Sequence, residues 1–185
     1  MWHKHGDMRA RTPRQPRKPR PPLDEAMLRE AALTYVARFA TSRSKLAHYL
    51  RRKLNERGWT GERDAPIAEI VEKLAEAGYI DDPAYALAKA RNLGSRGYGE
   101  RRVQGELRAA GIDEDDGAAA RDFARDGATE AALKFARRKR IGPFATSPPD
   151  RRDSDKALAA MIRAGHPFDL AKQVLNMPQN IDPEV

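Results

Sequence analysis

Residues 100–112 read ERRVQGELRAAGI, a short amphipathic run that ends at Gly111 and is followed by the apolar residue Ile112. Val103 and Leu107 are four residues apart, so they lie on the same face of a helix. Leu107 also precedes Gly111 by four residues, which places it one turn before a left-handed helix stop of the kind that glycine makes without steric cost. The stretch therefore predicts a short helix with one buried face and a defined end.

The same pattern occurs at three places in the chain. The other two copies hold Leu50, Leu54, Gly58 and Trp59, and Ala157, Met161, Gly165 and His166. A short unit that recurs at a regular distance predicts a tandem array of small helical modules. Arrays of this kind present long surfaces to other macromolecules more often than they enclose reaction pockets. The repeat thus favours a binding protein over an enzyme.

Helical periodicity dominates from Leu23 onward and divides the chain into about nine helices, with no convincing strand. We predict an all-α fold, an elongated tandem array of three three-helix modules. The predicted parts are a disordered basic leader (1–22), module 1 (23–79), module 2 (80–127), module 3 (128–177, with a proline-rich loop at 142–150) and a tail (178–185).

Side chains that favour helix starts support these divisions. Thr41 or Ser42 can cap the second helix, and Asp81-Asp82-Pro83 has a capping carboxylate followed by proline in the first turn. Four carboxylates at 113–116 predict the start of the third helix of module 2. The apolar spacing of the first helix extends to Phe39. Core packing is the expected role of the aromatic residues at module turns, which are Trp59, Tyr79 and Phe168.

Composition excludes several classes of protein. The chain has no cysteine, which rules out disulfides, thiolate metal sites and a cysteine nucleophile. It has no run of 18 apolar residues and no apolar signal core, so we expect a soluble cytoplasmic protein without membrane contact. A monomer is the default expectation for its oligomeric state.

The net charge of +8 is concentrated at one end of the chain. Residues 1–22 hold seven lysines and arginines against Asp7, which leaves only +2 for the other 163 residues. A basic segment rich in proline cannot bury apolar surface, and it can attract any polyanion without reading its sequence. The leader is therefore either a solubilising tail or a loose electrostatic contact for DNA.

A longer string of residues around the second copy resembles a known family, the RecX regulators of the RecA recombinase. It consists of Gly78-Tyr79-Ile80-Asp81-Asp82, Tyr85, Ala86, Arg91, Gly97, Glu106, Leu107 and Gly111-Ile112. The resemblance covers the first module through Ser42, Leu46, Leu50, Leu54 and Arg57-Gly58, and it continues more weakly from 131 to 175. The leader and the loop at 143–152 lie outside it.

The resemblance implies a fold and a function. Members of that family consist of tandem three-helix modules and bind in the helical groove of the filament that RecA forms on DNA. They restrain its ATP hydrolysis, strand exchange and promotion of repressor cleavage, and so act in homologous recombination, DNA repair and the SOS response. The family offers no catalytic residues and no cofactor to transfer to this chain.

The outward faces of three helices carry cations that could bind such a partner. The candidate RecA- or DNA-binding residues are Lys45, Arg51 and Arg52, then Arg101, Arg102 and Arg108, and finally Lys134, Arg137 and Arg138. For each of them the alternative is a solvated face balanced by glutamates such as Glu56 and Glu106. Charge alone does not distinguish a protein partner from DNA.

The sequence gives little support for a metal-binding, phosphate-binding or catalytic site. The four histidines are scattered, and residues 113–116 lack the alternation and the distal glutamate of a calcium loop, so we predict no metal site. No glycine-rich phosphate loop with lysine occurs, and no serine lies in a nucleophile elbow. Two functions remain: a regulator of the RecA–DNA filament, or a nonspecific DNA-binding architectural protein that acts through its leader and basic helix faces.

Overall fold

The structure is a computed structural model that describes residues 21–179, and this part of the chain holds nine α-helices and no strand. The helices are α1 (Glu25–Val36), α2 (Arg43–Arg57), α3 (Ile67–Glu76), α4 (Asp82–Ser95), α5 (Glu100–Ala109), α6 (Ala118–Asp126), α7 (Ala128–Lys139), α8 (Arg151–Arg163) and α9 (Phe168–Leu175). A single 3-10 turn, Gly142–Phe144, lies between α7 and α8. The prediction of an all-α fold is confirmed.

The predicted leader and tail lie outside the described residues, apart from 21–22 and 178–179. In the part that is described, none of the helices combines the length and apolar character needed to span a bilayer.

Three groups of buried side chains correspond to three groups of helices. Helices α1–α3 enclose a core that includes Leu28, Leu46 and Leu50, and we call this group module 1. Helices α4–α6 (module 2) enclose a second core around Leu107, and α7–α9 (module 3) enclose a third around Met161. Each core is small, so contacts between modules matter for the arrangement of the whole. The residue boundaries predicted for the modules stay predictions.

Helix ends follow the capping chemistry of the sequence with two differences. Ser42 and Asp81 cap α2 and α4 as predicted. The carboxylates at 113–116 form a turn of their own, closed by a 2.8 Å bond from the Asp116 amide to Asp113, and α6 begins only at Ala118. Helix α8 begins six residues before the apolar pattern indicated by Ala157, because Asp150 accepts the amide hydrogen of Asp153 and starts the helix.

The expected core role of several aromatic residues is wrong. Tyr79 and Phe168 are 57% and 48% exposed, and only Trp59 packs against the core of its module. Phe39 lies beyond the end of α1 and is 56% exposed. Tyr79 and Phe39 lie beyond the ends of α3 and α1, and Phe168 is the first residue of α9, so none of these rings lies within the helical turns that carry the buried side chains.

Modules 1 and 2 meet at what we call the first junction, where the N-terminus of α2 contacts the C-terminus of α5. The buried Ser42 hydroxyl donates a 2.5 Å hydrogen bond to the carbonyl of Ala110, the residue that ends α5. From the start of α4, the buried carboxylate of Asp82 accepts the amide hydrogen of Arg43 at 3.0 Å. A methyl group on Gly111 would lie 2.3 Å from the Ser44 side chain, so the approach requires glycine.

Modules 2 and 3 meet at the second junction in the equivalent way, with the N-terminus of α5 against the C-terminus of α8. The amides of Gly99 and Arg101 donate to the carbonyls of Ala164 and Gly165 at 2.9 and 3.1 Å. His166, fully buried, donates from Nε2 to the Gly97 carbonyl at 3.1 Å. Free donors at one helix start thus meet free acceptors at another helix end, and the helix dipoles are aligned favourably.

Candidate interaction surface

Each junction leaves a shallow depression on the surface of the protein. The first depression has a volume of about 460 Å³ and is lined by Tyr35, Lys45, His48, Tyr49, Arg52 and Ala109. The second has a volume of about 400 Å³ and is lined by Arg101, Arg102, Gly105, Glu106, Ile162, Arg163 and Gly165. The two depressions therefore repeat along the array, one beside each of the two junctions.

Counting from the cap residues shows that these linings are equivalent. Lys45 and Arg102 both lie three residues after the N-cap of their helix, which is Ser42 in α2 and Gly99 in α5. Seven residues after the same caps, the positions hold Tyr49 and Glu106. Across each junction, Ala109 and Arg163 both lie two residues before the glycine that stops the helix. Successive modules thus place corresponding side chains around corresponding depressions.

In the first depression, Lys45 is not the outward-facing cation that helical projection predicted. It is half-buried, and its ammonium donates a 2.8 Å hydrogen bond to the Tyr85 hydroxyl of module 2. That hydrogen bond raises the pKa of Lys45, which keeps the group charged. Lys45 therefore helps to join two modules while its charge remains at the rim of the depression. Projection of a single helix could not reveal the neighbouring module.

In the second depression, the cations are balanced by a carboxylate. Glu106 lies 3.0 Å from Arg102 and 3.2 Å from Lys89. The hydrogen bond from Lys89, together with the charge of Arg102, lowers the pKa of Glu106. Arg101, by contrast, has no carboxylate within ion-pair distance among residues 21–179. The exposed positive charge of this depression thus comes mainly from Arg101 and from Arg163 on α8.

The nine candidate cations differ in how far they are engaged within the protein. Arg51, Arg101 and Arg108 are exposed and their side chains have no ion pair with a described residue. Arg52 is 3.7 Å from Glu56 and stacks over the ring of Tyr49. The three exposed, unpaired arginines can bind an external anion without first breaking an internal contact.

The third candidate cluster differs in position from the other two. Lys134, Arg137 and Arg138 lie on α7, the first helix of its module, whereas the other clusters lie on the second helices α2 and α5. Lys134 is paired with Glu130 at 2.6 Å, and Arg137 lies over the ring of Phe144. Arg138 donates to the carbonyl of Arg96 in module 2. These contacts make the cluster part of the framework of module 3 and its contact with module 2.

Sequence reasoning missed three residues of this surface. Arg163 was overlooked because it lies on the helix opposite Arg101, although its place two residues before Gly165 repeats that of Ala109 before its own glycine. Tyr35 and Tyr49 were missed because only cations were sought. A comparison of equivalent positions around the glycine stops would have found Arg163. It would not have found Tyr49, because the equivalent position in module 2 holds Glu106 and not an aromatic residue.

Among residues 21–179, His166 is the buried histidine, and it lies at the second junction. Within residues 21–179 there is no group of three or more histidine, aspartate or glutamate side chains arranged to hold a metal ion. His166 has an unpartnered Nδ1, but the ring is fully buried against Phe135. Burial lowers the pKa of His166, so the ring is neutral in the folded protein at neutral pH.

Comparisons with known proteins agree with one another. Residues 81–120 match the family model described as "RecX, second three-helix domain". The regulatory protein RecX of Myxococcus xanthus (strain DK1622) is 36% identical over 174 residues, which cover 90% of this chain and 91% of that protein. The regulatory protein RecX of Xanthomonas campestris pv. campestris (strain B100) is 38% identical over 116 residues, or 63% of this chain and 68% of that protein.

Solved structures show the same fold. The crystal structure of RecX from Lactobacillus salivarius has a TM-score of 0.63 at 20% identity, covering 80% of this chain and 92% of that one. A second crystal structure, described as regulatory protein RecX, has a TM-score of 0.65 at 22% identity, covering 83% and 73% of the two chains. Similarity over nearly the full length of the Myxococcus protein establishes the relationship. This chain belongs to the RecX family of regulatory proteins.

Proposed function

We propose that this protein is a non-enzymatic regulator that binds the filament of RecA on DNA and inhibits its recombinase, ATPase and coprotease activities in the cytoplasm. Membership of the RecX family supports RecA as the partner. The structure supports the proposal by its repeated junctions, which present corresponding cationic positions at successive modules.

The repeated junctions are the observation that carries this proposal. A filament consists of identical subunits at a fixed spacing, so a ligand with equivalent surfaces at a fixed spacing can contact several of them at once. Weak contacts then add through effective concentration, without any single strong site. The end-to-end contacts of α2, α5 and α8 fix this spacing, because each junction is closed by direct hydrogen bonds.

The three unpaired arginines identify where the filament contacts are expected. Arg101 and Arg108 lie on α5, the helix whose two ends form both junctions. Arg51 lies on α2 in the adjacent module. An acidic surface of RecA and the phosphates of DNA within the filament are both suitable partners for these guanidinium groups.

Cosedimentation of the full-length protein with three targets tests the proposal. The targets are the RecA–DNA filament, RecA without DNA, and DNA alone, all at the same ionic strength. We expect the protein to pellet with the filament at concentrations where neither separate component carries it down. Equal or tighter binding to naked DNA would instead support the rival function, a nonspecific DNA-binding protein that acts through its basic leader.

A further inference from the structure

Three aromatic rings form a row beside the first depression. The rings of Tyr35 and Tyr49 are stacked with centroids 4.2 Å apart, and Phe39 lies 5.3 Å from Tyr35 in a tilted arrangement. The amide of Phe39 donates to the Tyr35 carbonyl at 3.0 Å, which holds the exposed ring next to the stacked pair. A large apolar ring that is 56% exposed at the end of such a row is available for contact with a ligand.

The charge around this row is strongly positive. Helix α2 carries six lysines and arginines and a single carboxylate, Glu56. Lys45, His48 and Arg52 line the first depression, and no carboxylate is part of that lining. Two of the cations on α2, Arg52 and Lys53, lie over the ring of Tyr49 at 5.7 and 5.6 Å. The cations lie against Tyr49 and the exposed ring of Phe39 lies against Tyr35, so the stacked tyrosine pair connects the two.

We propose that the first depression and the ring of Phe39 bind a single-stranded nucleic-acid segment. A base stacks on the exposed face of Phe39, while Lys45, Arg52 and His48 contact the neighbouring phosphates. Combination of aromatic platforms with a positively charged groove is the recognised means of binding single strands without sequence preference. The inference does not depend on the proposed regulation of RecA, because it concerns binding by this protein alone.

Two observations favour a single strand over other polyanions. The faces of bases are accessible in single strands but are covered by their neighbours in a duplex, so a stacking platform is of use only for the former. An acidic protein surface would find cations equally well at the second depression, where Arg101, Arg102 and Arg163 lie around Glu106. Of these two depressions, only the first is lined by aromatic rings. Tyr49 there occupies the position that Glu106 occupies in the second.

Fluorescence anisotropy with a labelled oligothymidylate of about 15 nucleotides, a length within the range that single-strand binding sites cover, tests this proposal. The full-length protein is titrated in the wild-type form and as Phe39→Ala. The matched control is Phe168→Ala, which removes a ring of similar exposure from module 3. Each protein is also titrated with an abasic oligomer of the same length and phosphate charge. The basic residues of the leader are present in every variant and contribute equally.

We expect Phe39→Ala to weaken binding of the oligothymidylate by about five-fold or more, the loss typical of one stacked base, and Phe168→Ala to leave it unchanged. Binding of the abasic oligomer should be weaker and the same for all three proteins. Equal affinities of wild type and Phe39→Ala for the oligothymidylate would overturn the proposal. Equal affinity of the wild type for the two oligomers would do the same, since it would indicate a site that recognises charge alone.

Failure of this test and failure of the proposed function are distinguishable. Phe39→Ala should still pellet with the RecA–DNA filament, because the filament contacts are assigned to Arg51, Arg101 and Arg108 and not to Phe39. A thermal unfolding curve of Phe39→Ala provides the folding control, and an exposed ring should change it little.

Discussion

The two junctions join equivalent helix ends, but the hydrogen bonds that close them come from different groups. At the second junction, backbone amides of α5 bond directly to the final carbonyls of α8, and Gly99 and Gly165 approach so closely that a methyl group on either would lie 2.5 Å from backbone atoms of the partner segment. At the first junction, the side chains of Ser42 and Asp82 bridge the gap. An added methyl group at the second junction would meet backbone, whereas at the first junction it would meet the Ser44 side chain. The first junction depends in addition on the polar groups of Ser42 and Asp82.

The surfaces of the two junctions differ as well. Equivalent positions hold Tyr49 at the first and Glu106 at the second, so one depression has aromatic rings with cations and the other has paired charges. The two junctions therefore share one backbone arrangement but present different side chains to solvent. The framework and the surfaces can be altered separately.

The largest effect is expected from Gly165→Ala, which breaks the second junction. The added methyl group would meet the Arg102 amide at 2.5 Å, and Gly165 has a φ of 97°, which side chains other than that of glycine rarely adopt. Crowding and backbone strain together should lower the free energy of unfolding by about 3 kcal/mol or more, measured by urea denaturation.

Gly105→Ala is the matched control, on α5, the helix whose Arg102 lies against Gly165. Gly105 lies inside α5 with nothing within 4 Å of an added methyl group, so the substitution should raise the free energy of unfolding by about 0.5 to 1 kcal/mol. Equal effects of the two substitutions would contradict the close approach of the backbones at the second junction.

A smaller effect is expected from Asp82→Ala, which acts on the first junction. The substitution removes the acceptor for the Arg43 amide and the carboxylate 3.6 Å from its guanidinium, in a site where Asp82 is buried. We expect the free energy of unfolding to fall by about 2 kcal/mol. Asp82→Asn retains an oxygen acceptor and should cost less. If Asp82→Asn costs as much stability as Asp82→Ala, then the charge of Asp82, and not its hydrogen bond from the Arg43 amide, holds this junction.

The smallest effect is the pH dependence contributed by His166. Burial lowers the pKa of His166 in the folded protein below its ordinary value of 6.5, so below that pH the unfolded chain takes up more protons than the folded one. Stability from this group is therefore complete above pH 6.5 and decreases as the pH falls, by at most about 1.4 kcal/mol per pH unit. Urea denaturation across this range measures it.

His166→Gln provides the comparison, because its amide can still donate to the Gly97 carbonyl and does not titrate. The variant should lose less stability than the wild type between neutral and mildly acidic pH. A slope that is unchanged in the variant would assign the dependence to other groups.

The features that sequence predicted are local ones. Gly58, Gly111 and Gly165 follow the ends of α2, α5 and α8 with positive φ, as their spacing after apolar residues indicated, and Ser42 and Asp81 cap the starts of α2 and α4. Capping and helix stops involve residues within one turn of one another, so they leave a readable pattern.

The features that sequence did not predict connect distant residues. Ser42 bonds to a carbonyl 68 positions away, and His166 to one 69 positions away. Asp82 was interpreted as part of the capping motif of its own helix, but its carboxylate faces the start of α2 in another module. Lys45 was placed outward because projection of one helix contains no information about its neighbours.

Contact between the exposed arginines of α5 and the RecA filament is the basis of the proposed function. Arg101→Glu with Arg108→Glu reverses the two charges of α5 that have no ion-pair partner within residues 21–179, and it leaves Arg102, which pairs with Glu106, in place. Arg63→Glu with Lys73→Glu is the matched control, since it makes the same change in charge on exposed positions of module 1 outside the candidate surface.

Inhibition of the DNA-dependent ATPase of RecA by these two double variants tests the claim most directly. We expect the α5 variant to require a concentration about ten-fold higher than the wild type for half-inhibition, with an unchanged unfolding midpoint. The control variant should inhibit like the wild type. Equal inhibition by the folded α5 variant and the wild type would contradict the claim.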